Sequence, residues 1–121
     1  MATPAGERHG VGALMAAAAA AADGWHVTWL GTDLPAGEIS AGARRDATDL
    51  VGLSLAPREN FNGLADEVAA VRQRLPAEVP LLVGGRGAAS LPPLDGVVPV
   101  RDLPHWHALL RTHLPAHLVS A

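Results

Sequence analysis

Glu7 and His9, in the stretch Glu7-Arg8-His9-Gly10-Val11-Gly12, sit two residues apart and carry complementary chemistry. A carboxylate so placed can accept one ring N–H of the imidazole, fix its tautomer and raise the basicity of the other nitrogen, which is then available to a metal. Farther along, Ser54 closes the apolar run Leu50-Val51-Gly52-Leu53, and Gly84-Gly85 close Leu81-Leu82-Val83. The serine carries a hydroxyl that can donate or accept, and the paired glycines leave the backbone bare. Taken singly, these features read as a solvated loop, a strand-end hydroxyl and a turn. Their order and separation carry more: forty-one residues (13–53) lie between Gly12 and Ser54, and twenty-seven (57–83) between Ala56 and Gly84.

Two other groupings invite a chemical reading and support it less. His105, His107, His113 and His117 crowd the carboxyl end. His105 and His107 are two apart on a predicted helix and point to different sides, and Pro115 interrupts the spacing between His113 and His117. No carboxylate accompanies them, so a solvated amphipathic helix is expected, with Trp106 and Leu109-Leu110 packing inward in part. Asp33 follows a predicted strand, as a phosphoacceptor would, but the acidic pair and lysine that such chemistry needs have no counterpart.

The elements that must position these residues follow from composition and pattern. At 121 residues, 49% hydrophobic, the chain fits one domain spanning 1–121, with a core over 1–100 and a terminal helix over about 103–114. A net charge of −3 argues against a nucleic-acid-binding surface in this chain. All nine basic residues are arginine, and the absence of cysteine removes disulfides, thiolate metal sites and cysteine nucleophiles. The apolar stretch from Val11 to Ala22 is too short to span a membrane and follows no basic leader; it reads as a tightly packed helix stopped by Asp23-Gly24. A cytoplasmic location fits this composition.

Trp25 to Leu30 is β-branched and aromatic and predicts a strand ended by Gly31, with Trp25 and Trp29 on one face as packing residues. Pro35 at N1 starts a helix to about Arg45. Leu50 to Leu55 predicts a strand buried on both faces. Phe61, Leu64, Val68, Val71 and Leu75 recur at helical spacing, with Arg72 and Arg74 at the end that suits the helix dipole. Pro80 to Val83 is a short buried strand, residues 87–92 a helical turn, Val97 to Val100 an edge strand marked by Pro99, and Leu103 to Leu114 a helix stopped by Pro115. Alternation of strand and helix predicts an α/β fold with a doubly wound parallel sheet, whose binding loops gather at the carboxyl ends of the strands. His9, Ser54 and Gly84 then converge on one edge.

With the three signals in this order, the chain resembles the cobalamin-binding domain family, whose pattern is Asp-x-His-x-x-Gly, then Ser-x-Leu, then Gly-Gly, at separations close to these. The resemblance covers roughly residues 1–90. It implies a flavodoxin-like (Rossmann-like) fold and a corrinoid cofactor, adenosylcobalamin or methylcobalamin. By position His9 is then the lower ligand of the cobalt, displacing the cofactor's own dimethylbenzimidazole base (the base-off/His-on mode), and Glu7 stands where the family usually has Asp. Gly12 lets the displaced nucleotide tail pass the first helix, Ser54 offers it a hydrogen bond, and Gly84 and Gly85 make room for benzimidazole and ribose. The family's Leu after the Ser is Ala56 here, and Leu55 is the candidate for its packing role; Gly31, Thr32 and Leu53 are weaker lining candidates. The family's first strand is central in the sheet, whereas only Met1-Ala2-Thr3 precede Pro4. A truncated first strand is expected: a stub in a domain weaker than its relatives, a trimmed piece of a longer chain, or a gap covered by a partner.

Ala2-Thr3-Pro4-Ala5-Gly6-Glu7-x-His9 and Trp29-Leu30-Gly31-x-x-Leu34-Pro35 are most similar to the sensory domain of MerR-type cobalamin-dependent regulators. Those proteins place a DNA-binding winged helix and a helical bundle before this domain, and some sense light through the cobalt–carbon bond. The resemblance therefore implies a non-enzymatic sensory module for transcription regulation or photoreception, whose DNA-binding or helical-bundle partner is elsewhere in a longer chain or in a separate protein. Two alternatives stay open: a corrinoid-carrying subunit of a mutase or methyltransferase, and a flavodoxin-like interaction domain without ligand. Homo-oligomerisation stays open as well.

Overall fold

Val51–Ser54 (β3) and Leu81–Leu82–Val83–Gly84 (β4) are the two runs apolar on both sides, and they pair in parallel in the middle of the fold, Val51 beside Leu81 through Ser54 beside Gly84. The computed structural model describes residues 1–57 and 62–113. Around this pair the described chain builds a five-stranded, all-parallel sheet of order β2-β1-β3-β4-β5, with β1 at Ala2–Pro4, β2 at Gly31–Leu34 and β5 at Val97–Pro99. Helices α1 (Val11–Ala22) and α4 (Leu103–Thr112) pack together on one face, and α2 (Ala36–Arg45) and α3 (Asn62–Arg74) on the other. This is the flavodoxin-like, doubly wound arrangement expected, with the strand order reversing between β1 and β3.

Each face has its own core. Ile39, Leu53, Leu55, Val68, Val71 and Leu81 are sealed on the α2/α3 side, and Leu82, Trp106 and Leu110 on the α1/α4 side. Full burial of a side chain of this size contributes about 1.5–3 kcal/mol. Alanine-rich α1 suits the second face because small side chains let it lie close to the sheet. It ends in a Schellman turn: Gly24 has φ +95°, its N–H donates to the Ala21 carbonyl at 3.0 Å, and the Trp25 N–H donates to Ala20 at 3.1 Å. Asp102 caps α4 by accepting the His105 N–H at 2.8 Å, and the Trp106 indole N–H ties α4 to α1 by donating to the Ala16 carbonyl at 3.0 Å.

The expected stub is present. Strand β1 has three residues, all buried, and lies centrally as predicted. The second strand, however, is Gly31–Leu34 and not Trp25–Leu30. Pairing decides this: Ala2 faces Gly31 and Pro4 faces Leu34, so the ladder forms where β1 has residues to offer. Met1 extends it slightly, its ammonium donating to the Thr28 carbonyl at 2.9 Å and its carbonyl accepting from Leu30 N–H at 3.0 Å. A cleft of about 300 Å³ lies beside Met1, between residues 25–28 and 46–51. Burial lowers the pKa of the Met1 ammonium below its ordinary value of 8.0.

Smaller differences have local causes. Pro35 is extended (ψ 150°) and caps α2 from outside, so the helix starts at Ala36. Trp25 packs on the α1/α4 side, whereas Trp29 is 39% exposed, because residues 25–30 are not a regular strand with one buried face. Arg72 does more than complement a dipole: its guanidinium donates to the carbonyls of Val79 at 2.8 Å and Pro76 at 2.6 Å, fastening the turn into β4. Val97–Pro99 is an edge strand, as Pro99 implied. Phe61, Leu114, Pro115 and His117 lie outside the described residues. Among the described residues no helix is long and apolar enough to cross a membrane.

Candidate functional site

The loop that leaves β1 turns back sharply and is held from several sides. The Glu7 N–H donates to the Pro4 carbonyl at 3.0 Å, and the Thr3 hydroxyl donates to the Glu7 carbonyl at 2.6 Å. Asp33, at the carboxyl end of β2, fastens it further. Its backbone N–H reaches both the Glu7 carbonyl and the Thr3 hydroxyl at 2.9 Å, and its carboxylate accepts the Gly6 N–H at 2.8 Å. Asp33 has φ +55°, a conformation uncommon outside glycine that aspartate tolerates better than most residues. The acidic residue after β2 is therefore a loop clamp, not part of a phosphoacceptor cluster.

This loop carries Glu7 inward and His9 outward. The Glu7 side chain is completely buried, and the His9 ring is 76% exposed. One carboxylate oxygen, Oε2, accepts from the His9 backbone N–H at 3.3 Å and lies 3.0 Å from ring Nδ1. The other, Oε1, accepts the Ala56 N–H. A carboxylate at Nδ1 favours the tautomer with its proton there, which leaves the Nε2 lone pair facing outward. The extra methylene of Glu over Asp lets one side chain reach both the histidine loop and the exit of β3.

Beside the loop lies a cleft of about 470 Å³, bounded by α1, the ends of β3 and β4, and the start of α4. Ser54 is its buried polar group: it is 7% exposed, and among the described residues its hydroxyl has no hydrogen-bond partner. A native structure rarely buries such a group unsatisfied, which marks a place where a ligand atom or a water belongs. The walls are kept bare by glycine. A Cβ on Gly12 would sit 2.8 Å from Ser54 Oγ, and one on Gly84, the register partner of Ser54, would sit 3.2 Å from the Val100 Cβ. Gly85 has φ +88°, and a Cβ there would run into the Leu55 carbonyl at 2.3 Å. The strand ends cross at this point, with Leu55 N–H on the Gly84 carbonyl at 2.9 Å and Gly87 N–H on the Leu55 carbonyl at 3.0 Å.

The structure thus brings Gly12, Ser54, Gly84 and Gly85 together around one cleft, and sets Glu7 and His9 at the same sheet edge, joined to it through Ala56. Leu55 falls elsewhere. It is on the same side of β3 as Leu53, its side chain sealed in the α2/α3 core, and only its backbone supports the Gly85 turn. Alternation along a strand sends the side chains of 53 and 55 to one face and those of 52 and 54 to the other, so the Leu55 side chain turns away from the face that carries Ser54. Leu53, a weaker candidate, does touch the cleft. Thr32 stands near Gly10 rather than in the cleft: a Cβ on Gly10 would lie 2.8 Å from its methyl. Residues missed by the sequence reading are Thr3 and Asp33 in the clamp, and Met15, Arg86, Arg101 and Trp106 around the cleft. Polar residues at strand ends were the available signal for the first two.

The histidines of α4 separate as their spacing predicts. His105 Nδ1 accepts the Arg101 N–H at 3.0 Å, His107 pairs with Asp23 at the end of α1, and His113 Nδ1 lies 2.8 Å from the Leu109 carbonyl. No group of three or more metal-ligating side chains forms among the described residues.

An exposed imidazole backed by a buried carboxylate thus stands beside a glycine-walled cleft at the switch point of a flavodoxin-like sheet, where such sheets bind their ligands. Comparison with known families agrees: the chain belongs to the B12 binding domain family, whose model matches residues 1–100. Among curated proteins it is similar to the HTH-type transcriptional repressor CarA of Myxococcus xanthus, 35% identical over 92 residues. The match takes in 73% of this chain but only 30% of the repressor's length.

Proposed function

We propose that this chain is the cobalamin-binding sensory module of a transcriptional regulator, with His9 as the lower axial ligand and the displaced nucleotide tail in the cleft beside Ser54. The single observation that carries the reading is the buried Ser54 hydroxyl, without a partner among the described residues, in a cleft walled by Gly12, Gly84 and Gly85, near a histidine whose Nδ1 is engaged and whose Nε2 has no partner among them. The residues present fit the group: Gly12, Gly84 and Gly85 leave stretches of bare backbone beside apolar Met15, Leu53 and Trp106, the Ser54 hydroxyl can donate or accept, and the His9 ring is accessible. Bound adenosylcobalamin or methylcobalamin would supply the axial cobalt chemistry, including a light-sensitive cobalt–carbon bond. The chain's own part is to present the imidazole in a fixed tautomer and to hold the tail out of water. It does so as a cytoplasmic, non-enzymatic domain, with a DNA-binding and helical module elsewhere in a longer chain or in a partner.

Spectral titration tests this. Hydroxocobalamin added to the purified chain should give a visible spectrum of imidazole ligation and should co-migrate through gel filtration. His9→Ala should remove that signature, whereas an unchanged spectrum in the variant would refute His9 ligation. The sensory role is read separately: illumination of the adenosyl form should change the elution volume. Co-purification with a barrel-shaped enzyme would instead favour a corrinoid carrier.

A further inference from the structure

The cleft is neutral and bare at its floor but cationic at its opening. Arg86, the first residue of a 3₁₀ turn at Arg86–Ser90, and Arg101, just after β5, both line it and are both exposed. Among the described residues neither guanidinium has an ion-pair or hydrogen-bond partner. The one carboxylate in the lining, Asp102, has an oxygen committed to capping α4. Helix α1 opens onto the same cleft at Gly12 with no side-chain cap and no acidic residue in its first turn, so its positive end is uncompensated there. Two unpaired arginines and a helix amino terminus around an opening whose buried hydroxyl is also unpartnered describe a place for an anionic arm reaching inward.

We propose that Arg86 and Arg101 form an anion clamp at the mouth of this cleft, holding a phosphodiester on the arm of the ligand that enters it. The assignment rests on the cobalamin reading above. Cobalamin joins its benzimidazole nucleotide to the macrocycle through a phosphodiester, whereas cobinamide lacks phosphate, ribose and base together. Arginine suits the role because its planar fork of donors matches phosphate oxygens and it is never deprotonated at working pH. The clamp adds a phosphate-dependent share to the preference for complete corrinoids over truncated ones, beside what the cleft contributes by holding the base. Because both guanidiniums are exposed, each contributes modestly and is screened by salt.

The test compares hydroxocobalamin with diaquacobinamide by spectral titration, at low and high ionic strength, on the wild type and the double variant Arg86→Gln/Arg101→Gln. The expected result is that the variant binds cobalamin roughly fivefold more weakly at low salt. That loss should shrink at high salt, cobinamide affinity should be unchanged, and Arg86→Lys/Arg101→Lys should recover most of it. Circular dichroism of each variant checks that the fold is intact. Equal cobalamin affinity in wild type and variant, or an equal loss for both corrinoids, would overturn the clamp while leaving the cobalamin reading standing. A wild type that binds neither corrinoid would overturn that reading, and the clamp with it.

Discussion

Replacing Glu7 by glutamine is the sharpest probe of how the histidine loop is held. The change keeps size and shape but removes one acceptor oxygen at a completely buried position. The carboxylate serves Ala56 N–H on one side, and the His9 backbone N–H and ring Nδ1 on the other. An amide has one oxygen and one NH2 group, so in either orientation its NH2 meets a donor. If it faces Ala56, a buried backbone N–H is left without an acceptor. If it faces His9, the backbone N–H there loses its acceptor and the ring is driven towards the tautomer with its proton on Nε2. A hydrogen bond to a charged group contributes about 1.5–3 kcal/mol, and an orphaned buried donor costs about 1–3 kcal/mol. Taking about 2–3 kcal/mol for the loss, and about 4 °C per kcal/mol for a chain of this length, the thermal midpoint should fall by about 10 °C. Thermal and urea unfolding followed by circular dichroism measure it, and spectral titration reads the weakened imidazole ligation. A variant that melts within about 2 °C of wild type would refute the view that Glu7 works as an acceptor hub.

Three further outcomes follow from the same geometry. Ser54→Ala removes a hydroxyl that has no partner among the described residues; its unfolding midpoint should match or slightly exceed wild type, while cobalamin binding weakens several-fold, about what one net hydrogen bond contributes. Gly85→Ala combines φ +88° with a Cβ 2.3 Å from the Leu55 carbonyl; a loss of about 2 kcal/mol or more in urea unfolding is expected, since strained backbone alone costs about 1–3 kcal/mol. The third concerns pH. Burial holds the Met1 ammonium below its ordinary pKa, so from the folded value up to 8.0 the unfolded chain binds more protons and stability rises with pH, levelling above 8.0. With no Cys, Tyr or Lys in the sequence, the thermal midpoint of the 121-residue chain should climb as pH rises towards about 8 and level above it, and a chain with a blocked amino group should lack that component of the rise.

Much of this architecture could be read from the chain because its signals are local. The continuous apolar runs at 50–55 and 81–83 read as buried strands, the alanine run as a helix (which buries only Ala13 and Ala20 and leaves Val11, Leu14 and Met15 exposed), and alternation between them points to a parallel sheet. What escaped reading depends on partners. Trp25–Leu30 has the stronger strand composition, yet β2 forms at Gly31–Leu34 because Ala2 and Pro4 stand opposite those residues. Leu55, the candidate for the packing role of the family's Leu, sits in the α2/α3 core, because it stands one residue from Ser54 and neighbours in a strand face opposite sides. Arg86 and Arg101 are fifteen positions apart and meet at one cleft only because β4 and β5 are neighbours. Asp33 carried a visible clue, an acidic residue at a strand end, but its contacts go to Thr3 in β1 and to Gly6, Glu7 and Arg8 in the loop that follows, which no local pattern reveals.

The histidine and the cleft are not two independent sites that happen to share an edge. Ser54 ends β3, and Ala56, two residues on, is the residue whose N–H meets Glu7. Glu7 in turn holds both the backbone and the ring of His9. The distance from the ring to the buried hydroxyl is therefore set by one strand end and one rigid side chain, with Thr3 bracing the loop from β1 and Asp33 from β2. A ligand gripped at two points, by its metal and by its arm, gains affinity from such a fixed spacing because little ordering is left to do on binding. The same spacing makes the first grip report on the second. If the proposed mode holds, loosening Glu7 should weaken His9 ligation and reduce the preference for an arm-bearing corrinoid together, whereas Ser54→Ala should reduce only the preference and leave the imidazole signature in place.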